Sequence, residues 1–224
     1  SPMEPIITPI IESTVSQNTA IARLQSRGKT MPQAKPRFAS FEEYLALDPG
    51  DLPEGFYEYV DGELVELMPE SSLNDEIATY LFLALVAFGI PFQLIKTGTG
   101  EIEVIGRPRT RIPDLIILRE EHPELTRRRL TITRQMPPPQ LIAEVISPGI
   151  QNRNRDTIDK RRQYAEISVP ESWLIDPETQ MLTVLQLEHG AYVESGVYRG
   201  DDRVYSVTFG ELPFTANQVL QAGS

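Results

Sequence analysis

Two acidic residues lie inside segments of the sequence that are otherwise apolar. Asp114 follows a proline and leads into the apolar run 115–118, and Glu144 stands within the apolar run 141–146. Burial of a carboxylate is costly unless the group is paired or holds a metal, so each acid needs a partner. For a single acid of this kind, a strand-end cap or an ion pair with arginine is the ordinary interpretation. Two such acids, together with the residues described next, favour a functional site.

A further group of candidate residues follows Glu144 along the chain. Asp156, Lys160 and Tyr164 are spaced at i, i+4 and i+8, which places all three on one face of a helix. A helix that returns over the strand of Glu144 would direct this face at the carboxylate. Only Lys96 and Lys160 are lysines beyond residue 37, so a lysine among arginines indicates a task suited to a flexible point charge. The alternative is a solvated helix face with an Asp156–Lys160 ion pair worth about 0.3 kcal/mol.

The elements that must position these residues follow from hydrophobic periodicity and turn signals. The strand of Glu144 is followed by a helix and then by a buried strand. This order makes a crossover unit, so the predicted sheet is mixed. The predicted fold class is α/β, a mixed β-sheet flanked by helices with β-hairpin additions. The predicted helices cover residues 40–49, 72–88, 153–167 and 215–222, and the predicted strands cover residues 57–60, 63–68, 92–96, 101–105, 114–118, 140–146, 173–176, 181–187 and 191–197.

The sequence divides into an N-terminal arm and one folded domain. Residues 1–37 combine several prolines with Ser, Thr and Gln and show no long helical or strand period, so we predict a flexible arm. Residues 38–224 have the length of one domain with a sizeable core. They contain no internal repeat and no linker long enough to separate a second domain.

Composition narrows the chemistry that the chain can perform. The absence of cysteine excludes disulfides, zinc–thiolate sites, iron–sulfur clusters and thiol nucleophiles, and two histidines are too few for chemistry that needs several imidazoles. There is no apolar run of membrane-spanning length and no secretory signal pattern, so we expect a cytoplasmic protein without a membrane partner. The net charge of −11 repels nucleic acid, so a polyanion would have to be met by local basic groups.

Several of these segments together resemble a known family. The matching motifs are Tyr57-Glu58-Tyr59-Val60-Asp61-Gly62-Glu63-Leu64, Arg111-Ile112-Pro113-Asp114-Leu115, Ala143-Glu144-Val145-Ile146-Ser147-Pro148, the triplet Asp156, Lys160 and Tyr164, and Trp173-Leu174-Ile175-Asp176-Pro177. In this order they resemble the Uma-two family of restriction-endonuclease-like proteins, which belongs to the PD-(D/E)XK nuclease superfamily. The resemblance runs from about Ser40 to Phe214 and implies a restriction-endonuclease-like core.

The resemblance implies a metal site built on the two acids. Asp114 and Glu144 would bind the ion, the main-chain carbonyl of Val145 would be a third ligand, and Glu58 would be an added acid near the site. Oxygen ligands without imidazole or thiolate favour Mg²⁺, with Mn²⁺ as a substitute, over zinc or copper. The implied activity is that of a Mg²⁺-dependent endodeoxyribonuclease, which hydrolyses phosphodiester bonds of DNA.

The catalytic lysine that the resemblance implies is not at its usual position in this sequence. In the superfamily it normally stands two residues after the second acid, where this sequence has Ile146. Relatives are often interpreted as supplying it from the following helix, which implies Lys160, supported by Tyr164 and Asp156. This lysine would orient the attacking water or steady the pentavalent phosphate. Asn74, where many members carry a histidine, is a second departure.

The DNA backbone would be met by arginines near the two acids. Arg109 and Arg111 come just before Asp114, and Arg153 stands at the start of the helix that carries Lys160. Most surface arginines only add solubility, and residues 127–129 are predicted to form a solvated loop of this kind. Because nucleases that cut two strands often work in pairs, we also expect a homodimer.

Two other functions remain open from the sequence. A binding or regulatory module could keep the nuclease-like fold without cleaving, which the acidic balance, Ile146 and Asn74 favour and the retention of both acids and the lysine opposes. A Mg²⁺-dependent phosphohydrolase of small phosphoesters would suit the net charge better than DNA. Its phosphate-cradling loop is missing, because Gly98-Thr99-Gly100 leads into a strand-like stretch rather than into a lysine and a helix.

Overall fold

The structure is a computed structural model that describes residues 35–222. The arm predicted over residues 1–37 lies outside the described residues except for its last three positions. Within the described residues, a six-stranded sheet is accompanied by three smaller sheets and by helices. The predicted α/β class with a mixed sheet and added hairpins is confirmed.

Groups of consecutive strands are separated by single helices or helical segments along the described chain. The helices are α1 Phe41–Ala46, α2 Ser72–Phe88, α3 His122–Leu125, α4 Ile150–Asn154, α5 Lys160–Glu166 and α6 Ala216–Leu220. The strands are β1 Tyr57–Val60, β2 Glu63–Glu66, β3 Ile95–Lys96, β4 Glu101–Glu103, β5 Thr110–Arg111, β6 Leu115–Ile117, β7 Thr131–Ile132, β8 Leu141–Val145, β9 Glu171–Asp176, β10 Met181–Glu188, β11 Ala191–Tyr198, β12 Arg203–Ser206 and β13 Gly210–Thr215. A π-helical turn, Arg155–Asp159, joins α4 to α5.

The central sheet carries its strands in the order β11-β10-β9-β8-β6-β3. Strands β8 and β9 run parallel, whereas the other neighbouring pairs of this sheet run antiparallel. A parallel pair needs a crossover connection, which α4, the π turn and α5 supply. The crossover unit that the sequence predicts is therefore confirmed.

Alternation along β8 sends its side chains to two different cores. Ala143 packs in the core that contains residues of α2, whereas Ile142 packs with Tyr164 of α5. Because successive strand residues point to opposite faces, Glu144 lies on the α5 face together with Ile142. By the same alternation Asp114, directly before β6, lies on that face too. Both acids are thus directed away from α2 and toward the helix that carries the lysine.

The long helix α2 begins and ends at strong local signals. Ser71 caps its first turn by accepting the N–H of Asn74 at 3.2 Å, and Gly89 ends it with a φ of +119°, in the left-handed region that favours glycine. Ile77 and Leu81 place its apolar face in the core of the central sheet. The predicted range 72–88 is confirmed. None of the helices in residues 35–222 is long and apolar enough to cross a membrane.

The sequence patterns missed four strands, the short helix α3 and one irregularity, and the strand predicted over residues 92–96 is wrong for Phe92–Leu94, which form a 3-10 turn. Strands β5 and β7 contain two residues each, too few to show alternation, and the β12–β13 pair forms a sheet of its own. The helix predicted over residues 153–167 begins at Ile150 and is interrupted by the π turn. A π turn has no periodic sequence signal, so periodicity alone predicted a continuous helix.

A cluster of aromatic residues lies beside the β1–β2 hairpin. Phe41, Tyr44 and Tyr59 pack against one another with ring centroids 5.0–5.7 Å apart. The guanidinium of Arg129 stacks on the Tyr44 ring, 4.1 Å from its centroid, and the Arg129 side chain is 10% exposed. The prediction of a solvated loop over residues 127–129 is therefore wrong for Arg129, whose guanidinium is enclosed between the Tyr44 ring and the Glu101 carboxylate.

Candidate functional site

Asp114 lies where the pairing of β6 with β8 ends. The pairing of β6 with β8 ends at Leu115, which lies opposite Ala143. The residue before it, Asp114, contacts β8 through its side chain instead of its main chain. Its Oδ2 accepts the main-chain N–H of Val145 at 2.7 Å, which ties Asp114 to the last residue of β8. The neighbouring residue of that strand, Glu144, therefore stands beside Asp114 on the α5 face of the sheet.

Both carboxylate oxygens of Glu144 are engaged by side chains of α5. Lys160 Nζ donates to Oε2 at 2.8 Å, and the Tyr164 hydroxyl donates to Oε1 at 2.6 Å. The Glu144 side chain is 1% exposed. The helix face that the i, i+4 spacing predicts is thus directed at Glu144. The chemical roles assigned to these residues stay predictions.

Asp156 connects the lysine to the end of β8. Its Oδ1 lies 3.1 Å from Lys160 Nζ, and its Oδ2 accepts the main-chain N–H of Ser147 at 3.2 Å. Arg155 Nε donates to Oδ1 at 3.3 Å. The Asp156 side chain is 2% exposed. The ion pair with Lys160 is therefore not the solvated helix-face pair that the sequence left open.

The π turn Arg155–Asp159 ends directly before Lys160. It has a wider turn than an α-helix, so the residues on its two sides are rotated relative to a regular helix. Asp156 inside the turn and Lys160 after it still keep their i, i+4 contact. Such π turns are frequent at functional sites, and here the turn carries one member of the ion pair.

Burial and neighbouring charge act strongly on the titratable groups of the site. Burial, followed by the charge of Glu144, raises the pKa of Asp114 well above its ordinary value. Burial lowers the pKa of Lys160, but the carboxylates of Glu144 and Asp156 outweigh that effect and raise it overall. Burial and the Glu144 carboxylate raise the pKa of the Tyr164 hydroxyl. At neutral pH the lysine is therefore charged and the tyrosine neutral, and Asp114 lacks a sufficient counter-charge.

A second buried ion pair lies within electrostatic reach of Tyr164. Arg111 Nη1 donates to Glu58 Oε1 at 3.2 Å, and Arg111 Nε donates to Gln163 Oε1 at 2.8 Å. The Arg111 side chain is 3% exposed, and that of Glu58 is 14% exposed. Burial removes Arg111 from the predicted DNA contacts, because a guanidinium enclosed by two partners cannot reach a phosphate at the surface. Gln163 carried no motif by which the sequence could have identified it.

The other two arginines predicted to meet DNA are partly exposed. Arg109 is 40% exposed, pairs with Glu103 at 3.0 Å and lies over the ring of Phe41. Arg153 is 29% exposed and donates two hydrogen bonds to Asp176, at 2.7 and 3.1 Å. Each side chain keeps exposed surface beside its ion pair, so contact with DNA stays a prediction for both.

An acid that the sequence analysis did not single out lies near Asp114. Glu70 adds to the raised pKa of Asp114, after burial and Glu144. Asn74 Nδ2 donates to Glu70 Oε2 at 3.1 Å and to Ser147 Oγ at 3.4 Å. Asn74 is 5% exposed, so its buried amide joins the start of α2 to the end of β8. The signal that could have revealed this pair is a polar residue on the buried side of an amphipathic helix.

The donor set of the site fits a cation that needs few protein ligands. Within the described part of the chain, no three histidine, cysteine or acidic side chains form a group that could hold a metal ion. Asp114 and Glu144 supply carboxylates, the N–H of Val145 is bonded to Asp114, and the Val145 carbonyl as a third ligand stays a prediction. Mg²⁺ suits such a set, because it usually keeps several waters and binds one or two carboxylates.

The charge balance of the site also fits a divalent cation. Four carboxylates and three cations lie in contact or in electrostatic reach of one another: Glu58, Asp114, Glu144, Asp156, Arg111, Arg155 and Lys160. Glu70 adds a fifth carboxylate. Carboxylates therefore outnumber cations in this set, which favours the binding of a further positive charge.

Comparison with known proteins identifies the family of the chain. The model of the Uma2 family, described as "Putative restriction endonuclease", matches residues 41–216. The chain belongs to the Uma2 family. The match contains Asp114, Glu144 and Lys160 and spans the whole central sheet, so the resemblance stated from the sequence is confirmed. No curated protein matches the chain.

A solved structure shares the fold of this Uma2 protein. It is the crystal structure of a putative nuclease belonging to DUF820 from Anabaena variabilis, with 14% sequence identity and a TM-score of 0.59. The similarity covers 83% of this chain and 99% of that one. At this level of identity the similarity shows the fold alone. The function has to be argued from the site.

Proposed function

We propose that this Uma2 protein is a Mg²⁺-dependent endonuclease that hydrolyses phosphodiester bonds of DNA. The observation that carries the proposal is the meeting of Asp114 and Glu144 on one face of the sheet, with Lys160 bonded to Glu144. Acidic ligands and a positively charged side chain are what metal-assisted displacement at phosphorus requires. A cluster that served stability alone would gain nothing from a second buried acid with a raised pKa.

Asp114, Glu144 and the main-chain carbonyl of Val145 would hold Mg²⁺, and Mn²⁺ could replace it. When bound, the ion would supply positive charge next to the phosphodiester oxygens and make water a better nucleophile at neutral pH. Asp114 is the group with most to gain from that ion, because its raised pKa reports a buried carboxylate beside another carboxylate.

Lys160 has the charge and the position to act on the substrate. Its ammonium group has three donors, of which one is bonded to Glu144, and it forms an ion pair with Asp156 at 3.1 Å. A remaining donor can donate to a phosphate oxygen or to an attacking water, and the positive charge offsets charge that develops on phosphate. Tyr164 holds Glu144 from the other side as a neutral hydroxyl, so the carboxylate is oriented by two donors rather than one.

DNA would be held by basic groups around the two acids rather than by the field of the whole chain, whose net charge is −11. Arg153 stands at the start of the helical segment that leads to Lys160, and Arg109 stands five positions before Asp114. Both keep exposed surface that a phosphate could reach. Each such contact adds to affinity in a salt-dependent way without reading base sequence.

A catalytically inactive binding or regulatory module is the second candidate. Two observations support it: both oxygens of Glu144 are already engaged, and no group of three potential ligands is found in residues 35–222. In such a module the Glu144–Lys160 pair would only stabilise the packing of α5 on the sheet. The two candidates differ in whether the site binds a metal ion.

Calorimetric titration with Mg²⁺ and Mn²⁺, run beside plasmid cleavage on the same samples, separates the candidates. The informative variant is Asp114→Asn, which keeps the shape of the side chain and removes its charge. Its matched control is Asp48→Asn, since the Asp48 carboxylate is 67% exposed and pairs with Arg128. We expect the wild type and the control to bind metal and nick supercoiled plasmid, and Asp114→Asn to lose both.

Two outcomes would redirect the proposal. A folded wild type that binds neither ion and leaves the plasmid intact would overturn the endonuclease and favour the inactive module. Metal binding with hydrolysis of a small phosphodiester, but with plasmid and single-stranded DNA both intact, would exclude DNA and favour a phosphohydrolase. The small substrate is therefore included in the same series.

Assembly into a homodimer stays a prediction. A pair of Uma2 chains would bring two copies of the site to one duplex, so that both strands could be cut in one binding event. Sedimentation of the protein alone and with a DNA duplex gives the mass of each species. A monomer in both samples would limit each binding event to the nicking of one strand.

A further inference from the structure

The ammonium group of Lys160 is shared by two carboxylates on different elements. Glu144 belongs to β8, and Asp156 belongs to the π turn before α5. The Lys160 side chain is 11% exposed, against 1% and 2% for its two partners. One cation therefore neutralises part of the same carboxylate set that the proposed metal would use.

We propose that Lys160 is the internal counter-ion of Glu144 in the metal-free protein, and that it competes with the metal for Glu144 while Asp156 keeps it within the site. The inference rests on the proposed function and specifies how that site is regulated. Lys160 would hold Glu144 until the divalent ion arrives. Once the ion is bound, the Lys160 ammonium would remain in contact with Asp156, and one of its N–H donors would be available to the substrate.

The first argument is the state of Glu144 in the absence of metal. A nearly fully buried carboxylate needs a partner, and the hydroxyl of Tyr164 contributes a hydrogen bond but no charge. Lys160 supplies the charge at 2.8 Å. Because a divalent ion at Glu144 would supply the same compensation, the ammonium and the ion cannot both have their full effect there.

The second argument is the residue type. An arginine would hold a carboxylate through a planar pair of hydrogen bonds and resist displacement. Lysine is a compact charge on a flexible stem, so it can leave one carboxylate and remain on another. The other positively charged residues near it in the sequence are all arginines: Arg153, Arg155, Arg161 and Arg162.

The third argument is the fixed position of Asp156. Its Oδ2 is held by the Ser147 N–H, and Arg155 contributes a second cation at Oδ1. This carboxylate therefore keeps its orientation whether or not Lys160 also contacts Glu144. Asp156 acts as a positioning residue, since it lies one helical turn before Lys160 and keeps the ammonium beside the predicted metal ligand Glu144.

Metal affinity, measured by calorimetry on the metal-free protein, tests the competition. In Lys160→Gln the carboxylate of Glu144 has no competing cation, so Mg²⁺ and Mn²⁺ should bind about tenfold more tightly. The matched control is Arg155→Gln, which removes a positive charge from Asp156 without touching Glu144. A through-space effect of charge would strengthen both variants, less in Arg155→Gln because Arg155 is more exposed, whereas competition adds a gain in Lys160→Gln that the control lacks entirely.

The outcomes separate this inference from the proposed function. Binding to the wild type and equal or weaker binding to Lys160→Gln would overturn the competition and leave the endonuclease in place. Equal gains in Lys160→Gln and Arg155→Gln would also overturn it. Binding to neither the wild type nor Lys160→Gln, with both folded, would overturn the metal site itself and the inference with it.

A measurement on the wild type keeps the test independent of how the variant folds. Side-chain ¹⁵N NMR detects a lysine ammonium that is protected by hydrogen bonds, and the sequence has four lysines to assign. We expect a protected Lys160 signal that shifts on addition of Mg²⁺ and stays protected. In Asp156→Asn the same signal should lose its protection when Mg²⁺ is added. A Lys160 signal that does not respond to saturating Mg²⁺ would contradict the inference.

Discussion

Two buried glutamates of this protein have nearly the same set of neighbours. Glu144 on β8 accepts hydrogen bonds from the Tyr164 hydroxyl and from Lys160, and Glu101 on β4 accepts them from the Tyr44 hydroxyl and from Arg129. Each side chain is at most 10% exposed. By residue type alone the two clusters would be assigned the same purpose.

The clusters differ in what surrounds the shared set. Glu101 has a third donor, Thr131 Oγ1 at 2.7 Å, and its guanidinium partner is fixed by stacking on Tyr44. Glu144 has a second acid beside it, Asp114, whose pKa burial and Glu144 raise. The first cluster is saturated with donors and held by a rigid cation. The second has more carboxylates than cations in contact, and its cation is a lysine, which has a flexible stem.

The difference teaches how a structural ion pair can be told from a candidate site. A buried carboxylate with enough donors is satisfied by the protein itself, and its removal costs stability. A buried carboxylate next to another one remains incompletely satisfied, which the fold tolerates where a ligand completes it. Excess charge is therefore the more informative sign of function than burial.

The comparison is tested most strongly by removing the charge of each glutamate in turn. Glu144→Gln is expected to lower Mg²⁺-dependent plasmid nicking by up to about a thousandfold, since it removes a metal ligand and the partner of Lys160. Glu101→Gln should leave the rate per folded molecule unchanged. Initial rates normalised to the folded fraction measure both. Similar losses in the two variants would show that the clusters do not differ in function.

Removal of the Glu101 carboxylate should lower the stability of the protein measured without metal. Glu101→Gln is expected to lower the free energy of unfolding by about 3 kcal/mol, because Arg129 then loses the carboxylate of a buried pair. Urea denaturation followed by circular dichroism gives this value. Asp61→Asn is the control, since Asp61 forms an ion pair in which both side chains are largely exposed. A loss no greater than the control's would mean that Glu101 is not a structural anchor.

Removal of one hydroxyl group from each cluster compares the roles of the two tyrosines. Tyr164→Phe should lower the nicking rate about tenfold, because Glu144 loses a donor that orients a predicted metal ligand. Tyr44→Phe should leave the rate unchanged and cost about 1 kcal/mol of stability. Rates and urea midpoints are measured on the same preparations. A rate loss in Tyr44→Phe that matches Tyr164→Phe would place both tyrosines in one functional unit.

The pH dependence of stability tests the excess charge directly. Because the pKa of Asp114 is raised in the folded protein, its favourable contribution is complete below the ordinary value near ~4 and is lost as pH rises toward the folded value. Asp114→Asn should therefore match the wild type near pH ~4 and exceed it by about 1 kcal/mol at neutral pH. Urea titrations at several pH values without metal measure the difference. A variant less stable than the wild type at neutral pH would mean that Asp114 is fully compensated.

The smallest effect concerns the exposed cations. Arg153→Gln is expected to weaken DNA binding about threefold and to reduce the salt dependence of the affinity by roughly one phosphate contact. Arg127→Gln, on an exposed loop, is the control and should change neither. Fluorescence anisotropy at several salt concentrations gives both quantities. Equal effects of the two substitutions would mean that DNA binding is not centred on the Asp114–Glu144 cluster.

Much of the fold was predictable because its signals are local. Periodicity and capping gave the bounds of α2, and the order strand, helix, strand gave the parallel pair β8–β9. The missed strands β5 and β7 are held by pairing with β4 rather than by any pattern of their own. Short elements of this kind are created by their neighbours.

The core of the candidate site was also legible in the sequence. An acid in an apolar strand must have a partner when it is buried, and helix geometry alone places Lys160 and Tyr164 on one face. Whether each arginine is buried or exposed could not be predicted from the sequence. Arg111 and Arg109 are two residues apart in sequence, yet one is enclosed and the other is partly exposed.

The sequence by itself determined the order of the longer elements around the site, the two acids in apolar strands and the helix face directed at Glu144, because these follow from residues close together in the chain. Only the tertiary structure decided which charges are satisfied. Arg111 meets Gln163 across 52 positions and Tyr44 meets Glu101 across 57, and Asn74 joins Ser147 across 73. Satisfaction of a buried charge depends on such distant partners, and no local pattern encodes them.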